Sequence, residues 1–155
     1  MAADEPEAIR GWLLVFCLTA TVNPLITVAT LIIAFPILRS DNVPSALLAL
    51  YYGLHIAIVG FGLYSALLLW TINRKAVVLA KLYLWAYAIT AVLLAYTPLL
   101  LPSDMQGSPS ATFLWASWKT LPHKLVYSAI WLAYLWRSRR VANTYAPEVL
   151  HEPLA

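Results

Sequence analysis

The segment IWLAYLWRSRR, residues 130–140, decides the fold of this chain. Apolar and aromatic side chains fill residues 130–136, and three of the next four residues are arginines. Tryptophan and tyrosine settle at the headgroup level of a bilayer, and arginine is retained on the cytoplasmic side. The pattern is typical of a membrane-spanning helix at the point where it leaves the bilayer. It predicts that Arg137, Arg139 and Arg140 anchor this end of the helix in the cytoplasm.

The composition of the whole chain points to the same class. Of its 155 residues, 62% are hydrophobic and 11% are charged, whereas soluble domains carry about 25% charged residues. The acidic residues all lie in predicted tails or loops: Asp4, Glu5, Glu7, Asp41, Asp104, Glu148 and Glu152. The net charge of +3 comes from basic residues at helix ends, so it reports on membrane topology and not on binding to nucleic acid. We therefore expect an all-α, polytopic membrane protein.

Four membrane-spanning helices with short loops are expected to form a four-helix bundle. Crossing a hydrocarbon core of about 30 Å takes about 20 apolar residues, and the apolar runs lie at about residues 11–38, 45–72, 76–101 and 113–136. Residues 1–10 and 141–155 are read as a short tail and a flexible tail. An even number of crossings places both tails on one side, and the excess of basic residues there selects the cytoplasm.

The sequence allows two positions for the start of the fourth span. Leu125 to Trp136 alone would measure only about 18 Å, which is too short to cross the bilayer. Either one helix begins near Phe113 and bends at Pro122, or residues 111–120 form a separate helix that lies in the outer interface. We favour the single helix.

Small residues recur at helical spacing along the second span. One stripe contains Gly53, Ala57, Gly60 and Tyr64, and a second, on roughly the opposite side, contains His55, Val59, Gly62 and Ala66. Small residues let two helix backbones approach closely in a membrane. The pattern predicts helix packing at Gly53, Ala57, Gly60 and Gly62, with this helix central in the bundle.

One candidate site consists of polar residues near the bilayer midplane, Asn23, His55 and Thr90. Pro24 frees the carbonyl of Ala20, and a neutral histidine can donate and accept hydrogen bonds together. The three side chains could therefore converge to bind a small molecule or relay a proton. The simpler interpretation is that His55 and Asn23 each make one hydrogen bond between helices, and we favour it.

A second candidate site lies in the fourth span, where Lys119 and His123 are one helical turn apart and Lys124 follows. A charge deep in a bilayer is costly. These cations could face an outward-open cavity and hold an anion or a lipid headgroup. Alternatively, both lysines extend to the headgroups while His123 lies at the interface. The sequence does not separate the two interpretations.

The two ends of the chain resemble a known family. RGWLLVF at residues 10–16, with Asn23-Pro24-Leu25 after it, resembles the opening pattern of the bacterial "domain of unknown function 2569" membrane proteins. Residues 130–145, with Trp131 and Tyr134 and the ending RVxNTY at 140–145, are similar to that family's closing signature. The resemblance implies a small, four-helix protein of the bacterial inner membrane. It implies no catalytic residues, because the family has no established activity.

The predicted function follows from what the spans lack. They contain no carboxylate for a proton relay, no histidine or cysteine spacing for a metal, no phosphate loop and no nucleophile elbow. We therefore expect no enzymatic activity, no cofactor and no metal. The preferred hypothesis is an accessory or interaction subunit in the lipid bilayer, which binds another membrane protein or a second copy of itself. The alternative is a homo-oligomeric binder or carrier of a small anionic or amphipathic ligand or lipid.

Overall fold

The protein is helical throughout the part of the chain that the computed structural model describes, residues 11–41, 43–73 and 75–145. Its helices are α1 (Trp12–Ser40), α2 (Ser45–Trp70), α3 (Ala76–Ala95), α4 (Pro109–Arg137) and α5 (Arg139–Tyr145). Two short 3₁₀ turns, Thr97–Leu100 and Ser103–Met105, connect α3 to α4. No strand occurs within these ranges. The all-α prediction is therefore confirmed for the described residues.

Three of the helices, α1, α2 and α3, are long and apolar enough to cross a membrane. They identify the chain as a membrane protein. Helix α4 has the necessary length, 29 residues, which is about 43 Å at 1.5 Å per residue. It carries Lys119, His123 and Lys124, and it is less apolar than the three helices that could cross a membrane.

The helices pack in chain order, α1 on α2, α2 on α3 and α3 on α4, and α4 returns to contact α1. The α1–α4 interface is the smallest of the four. Two buried apolar clusters hold the assembly together. One includes Phe16, Tyr83 and Trp131, and the other includes Leu38, Tyr51 and Leu114.

The boundaries of α3 and α4 differ from the predicted spans. Helix α3 ends at Ala95 and not near residue 101, because Pro98 lacks the N–H that an α-helix needs and clashes with the preceding turn. Helix α4 begins at Pro109, four residues before the predicted start, and the Ser108 side chain caps it by accepting a hydrogen bond from Ala111 N (3.1 Å). It continues through Pro122 to Arg137. Residues 111–120 therefore belong to the same helix as the rest of α4.

Helix α5 extends the folded region beyond the predicted membrane domain. Residues 141–145 fall in the segment expected to be a flexible tail, yet they are helical, and Val141, Thr144 and Tyr145 are buried. The remainder of that tail, residues 146–155, and the predicted N-terminal tail, residues 1–10, lie outside the described residues.

A hydrogen-bonded clasp joins the end of α1 to the start of α4. Asp41 Oδ2 accepts a hydrogen bond from Ser110 N (2.8 Å), and the Ser110 hydroxyl donates to Ile37 O (3.0 Å). The carboxylate thus satisfies one of the backbone N–H groups that a helix leaves free in its first turn. The hydrogen bond from the Ser110 backbone is the main cause that holds the pKa of Asp41 below its ordinary value.

Candidate functional site

The interior face of α2 places His55 between the two apolar clusters. His55 is buried, and its Nδ1 lies 2.8 Å from Tyr51 O, one turn earlier in the same helix. A carbonyl oxygen only accepts hydrogen bonds, so we assign the ring hydrogen to Nδ1. The ring also packs on Tyr51, with 4.4 Å between centroids. Both contacts fix the orientation of the imidazole and leave Nε2 as its second polar atom.

A small, partly enclosed cavity of about 20 Å³ lies beside His55. This volume has room for about one water molecule. Each of the four long helices contributes a polar side chain to its wall: Thr27 from α1, His55 from α2, Tyr87 and Thr90 from α3, and Lys124 from α4. The remainder of the wall is aliphatic. The cavity is therefore a polar site within an apolar interior.

The hydroxyl groups of the cavity differ in what they already bind. Thr27 donates its hydroxyl hydrogen to Asn23 O (3.0 Å) in its own helix. The hydroxyls of Tyr87 and Thr90 have no hydrogen-bond partner among the described residues. The Lys124 ammonium lies 6.0 Å from the centroid of the Tyr87 ring, at the outer limit of a cation–π contact. Three hydrogen-bond donors of the wall are thus available to a ligand.

The cavity carries positive charge without an internal counter-charge. Helices α1 to α4 contain no Asp or Glu, and no ion pair to Lys124 occurs within the described part of the chain. A donor set of this kind can hold an anion or orient a water molecule. Within the same part of the chain, no three His, Cys, Asp or Glu side chains group together to hold a metal ion.

The structure joins members of the two candidate sites predicted from the sequence. His55 and Thr90, from the midplane group, line one cavity together with Lys124 from the basic group. Asn23 is not in the wall, but its carbonyl binds the wall residue Thr27, and its side chain interacts with Tyr127. Lys119 and His123 are exposed on the outside of α4. The basic group is therefore divided between the two sides of its helix.

The four residues predicted to pack helices are also divided. A Cβ atom at Gly62 would lie 2.8 Å from Pro24 Cγ and 2.9 Å from Tyr83 Cε2, so α1, α2 and α3 meet closely there. Gly53, Ala57 and Gly60 are exposed. A Cβ atom at either of these two glycines would meet nothing within 4 Å. Among the described residues, α2 therefore packs on α1 and α3 through only one of its two stripes, and not through both as expected.

The arginines expected to anchor the last span lie at the junction of α4 and α5. Arg137 ends α4 and Arg139 begins α5, and both are exposed. Arg140 follows in α5, and its side chain lies outside the described part of the structure.

Two polar members of the cavity wall were not among the candidate residues predicted from the sequence. Thr27 lies four residues after Asn23, and Tyr87 lies three residues before Thr90. Residues at these spacings share a helix face. Looking one helical turn before and after each candidate residue would have identified Thr27 and Tyr87.

Comparison with known families assigns the chain to one of them. A family model described as "Protein of unknown function (DUF2569)" matches residues 6–146. The chain belongs to this family. The resemblance of its two ends is thereby confirmed, and the match covers all the described helices of this DUF2569 protein. Comparison with curated proteins and with solved structures gave no match.

The closing signature of this DUF2569 protein has a structural explanation. Ser138 ends α4, and its hydroxyl accepts a hydrogen bond from Val141 N (3.4 Å), so the chain turns directly into α5. The Tyr145 hydroxyl then donates to Leu69 O (2.8 Å), near the end of α2, and its side chain interacts with Cys17 of α1. The signature therefore closes one end of the helical assembly and does not contribute to the cavity.

Proposed function

We propose that this protein is a non-enzymatic interaction subunit of the bacterial inner membrane. In this proposal it crosses the membrane four times, with both termini in the cytoplasm, and binds another membrane protein or a second copy of itself. Its contact surface is the outward face of α2, which we define as Gly53, Ala57, Gly60 and Tyr64. The single observation that carries the proposal is the open space at the two glycines of this face.

The fourth crossing is supported by the way α4 lies along α1. The two helices are joined at one end by the Asp41–Ser110 hydrogen bond (2.8 Å). Towards the other end, the Tyr127 hydroxyl donates to Thr19 Oγ1 (3.3 Å). These two contacts show that α4 lies alongside much of α1. A helix that lies alongside a membrane-crossing neighbour in this way is expected to cross the membrane with it. The cytoplasmic orientation is supported by the arginines at the α4–α5 junction.

The outward face of α2 has the features of a helix-packing surface. Gly53 and Ala57 are four residues apart, the small-xxx-small spacing that allows close contact between membrane helices. Large apolar side chains flank the stripe, among them Ile56 (63% exposed) and Leu67 (60% exposed). A partner helix would lie in the shallow groove between these flanks. Close packing there replaces lipid contacts with protein contacts, and this is what drives association in a bilayer.

Replacing Gly60 with leucine tests the contact surface. Because a Cβ at position 60 would meet nothing within 4 Å in the described neighbouring structure, Gly60→Leu should fold normally while filling the groove that receives the partner. In native electrophoresis of membranes extracted with a mild detergent, the wild-type protein should migrate as a complex larger than one chain. Gly60→Leu should migrate as the monomer.

Ala129→Leu is the matched control, because Ala129 is an exposed small residue on α4, away from the proposed surface. It should leave the complex intact. The proposal fails if the wild-type protein is already monomeric in the extract, or if both variants dissociate to the same extent.

A further inference from the structure

We propose that the cavity between the four long helices is a binding site for a small monovalent anion, held by the Lys124 ammonium and by the hydroxyls of Thr90 and Tyr87. This site lies in the interior, away from the outward face of α2. It is therefore independent of the interaction role, and either proposal can fail without the other.

The first argument is charge. Lys124 is partly buried against Tyr87 and the cavity, whereas Lys119, on the same helix, is exposed. A lysine at the surface of a membrane protein can extend its ammonium to the headgroups. The Lys124 side chain instead lines the cavity, with its ammonium 6.0 Å from the centroid of the Tyr87 ring. Intramembrane charges pair with one another or with a bound ligand, and α1 to α4 provide no carboxylate. An anion in the cavity would supply the missing partner.

The second argument is hydrogen bonding. Thr90 and Tyr87 line the cavity, and neither hydroxyl has a hydrogen-bond partner among the described residues. Polar groups inside a protein are almost always hydrogen-bonded to protein, water or ligand. Together with Lys124 they place three hydrogen-bond donors, from α3 and α4, in the wall of one cavity. Hydrogen bonds from an ammonium to an anion are about twice as strong as those between neutral groups.

The third argument is size. A volume of about 20 Å³ accommodates one water-sized particle, which matches a halide and excludes a fully enclosed sulfate or phosphate. The same anionic chemistry could also come from the phosphate of a lipid that reaches in between α1 and α4, where the interface is smallest. The two sources are separated by experiment.

The test measures thermal unfolding of the purified protein in an uncharged detergent while chloride replaces gluconate at constant ionic strength. Gluconate is too large for the cavity. The unfolding midpoint of the wild-type protein should rise with chloride and reach a plateau, because a ligand that binds only the folded state stabilises it. Bromide should act in the same way. Lys124→Met should lose this saturable rise, and Lys119→Met, the control for removing a lysine from α4, should keep it.

The second arm tests the lipid source. With gluconate as the only free anion, phosphatidylglycerol is added to the detergent micelles. A rise in the midpoint that Lys124→Met removes and Lys119→Met retains would assign the anionic group to a lipid phosphate, and the site itself would stand. An equal response of wild-type protein and Lys124→Met to both anion sources, or no response to either, would overturn the proposal.

A third variant covers the case in which Lys124→Met does not fold. Thr90→Val keeps the shape of the side chain and removes one donor. It should raise the half-saturating concentration of the effective anion by about tenfold, the effect of losing one hydrogen bond to a charged group. An unchanged half-saturating concentration in Thr90→Val, for both chloride and phosphatidylglycerol, would overturn the site.

Discussion

Helix α2 carries glycines on two faces, and the described part of the chain packs against only one of these faces. At Gly62, on the inward face, the ring of Pro24 and the ring of Tyr83 occupy the space that a side chain would need. At Gly60, only two residues earlier, that space is open. The same residue type therefore serves contact inside the chain at one position and leaves a surface for contact outside it at the other. A small residue in a membrane helix indicates that another helix can approach closely there. The structure shows which helices do so within the chain.

The largest effect is expected at Gly62. Gly62→Ala places a methyl group against the rings of Pro24 and Tyr83, which are too closely packed to move aside. Overpacking of this kind costs about 1–3 kcal/mol of folding free energy. Gly60→Ala is the matched control on the same helix. It meets open space and replaces a poor helix former, so stability should stay equal or rise by up to about 1 kcal/mol.

Thermal unfolding of both variants in detergent provides the measurement. The comparison between the two faces breaks down if Gly60→Ala destabilises the protein as much as Gly62→Ala does.

A smaller effect is expected where the end of α2 meets α5. Tyr145→Phe removes the hydroxyl that donates to Leu69 O (2.8 Å), and a hydrogen bond of this type contributes about 1 kcal/mol. Tyr64→Phe makes the same chemical change on the outward face, where the side chain is 54% exposed. It should leave the unfolding midpoint unchanged. Equal midpoints for the two variants would show that α5 does not secure this end of the protein.

The smallest effect is expected at Asp41, in the turn that leads into α2. Its pKa is lower in the folded protein than in the unfolded chain, because the folded protein hydrogen-bonds the carboxylate. Its contribution to stability is therefore present above the unfolded pKa and is lost as the pH falls through the folded pKa. We expect Asp41→Asn to unfold slightly below the wild-type temperature at neutral pH. The two midpoints should converge as the pH falls below the ordinary aspartate pKa of 3.8 and through the lower pKa of the folded protein.

Measuring both midpoints across this pH range checks the prediction. A constant difference between them down to the lowest pH would show that the effect of the substitution is unrelated to the charge of Asp41.

The helical class, the order of the helices and the family could all be obtained from the sequence. Long apolar runs separated by charged turns leave few alternatives, and the residues at 130–145 carry the family signature. The junction between α3 and α4 was less accessible. Pro98 ends α3 early, and the effect of a proline within an apolar run depends on whether neighbouring groups satisfy the carbonyl that it frees.

The inward faces could not be predicted because α1, α2 and α3 are apolar on every side. Without a polar face, the helical period does not distinguish the interior from lipid. Helix α4 differs from these three, because it carries the polar residues Lys119, His123 and Lys124. Lys119 and His123 share a face, but Lys124 is turned by about 140° from Lys119. The structure accordingly places Lys119 outside and Lys124 at the cavity, whereas the prediction had treated the three cations as one group.

The contact between Tyr145 and Leu69 joins residues 76 positions apart, and this distance has a consequence for biosynthesis. Chains are made from the amino end, so the α1–α2 and α2–α3 pairs can form while translation continues. The hydrogen bond to the carbonyl of Leu69 can form only after the last described helical turn, which contains Tyr145, has been synthesised. A chain that is truncated before Tyr145 would keep its long helices but would lack the contact that closes one end of the helical assembly. The protease systems that degrade misfolded membrane proteins could then recognise it.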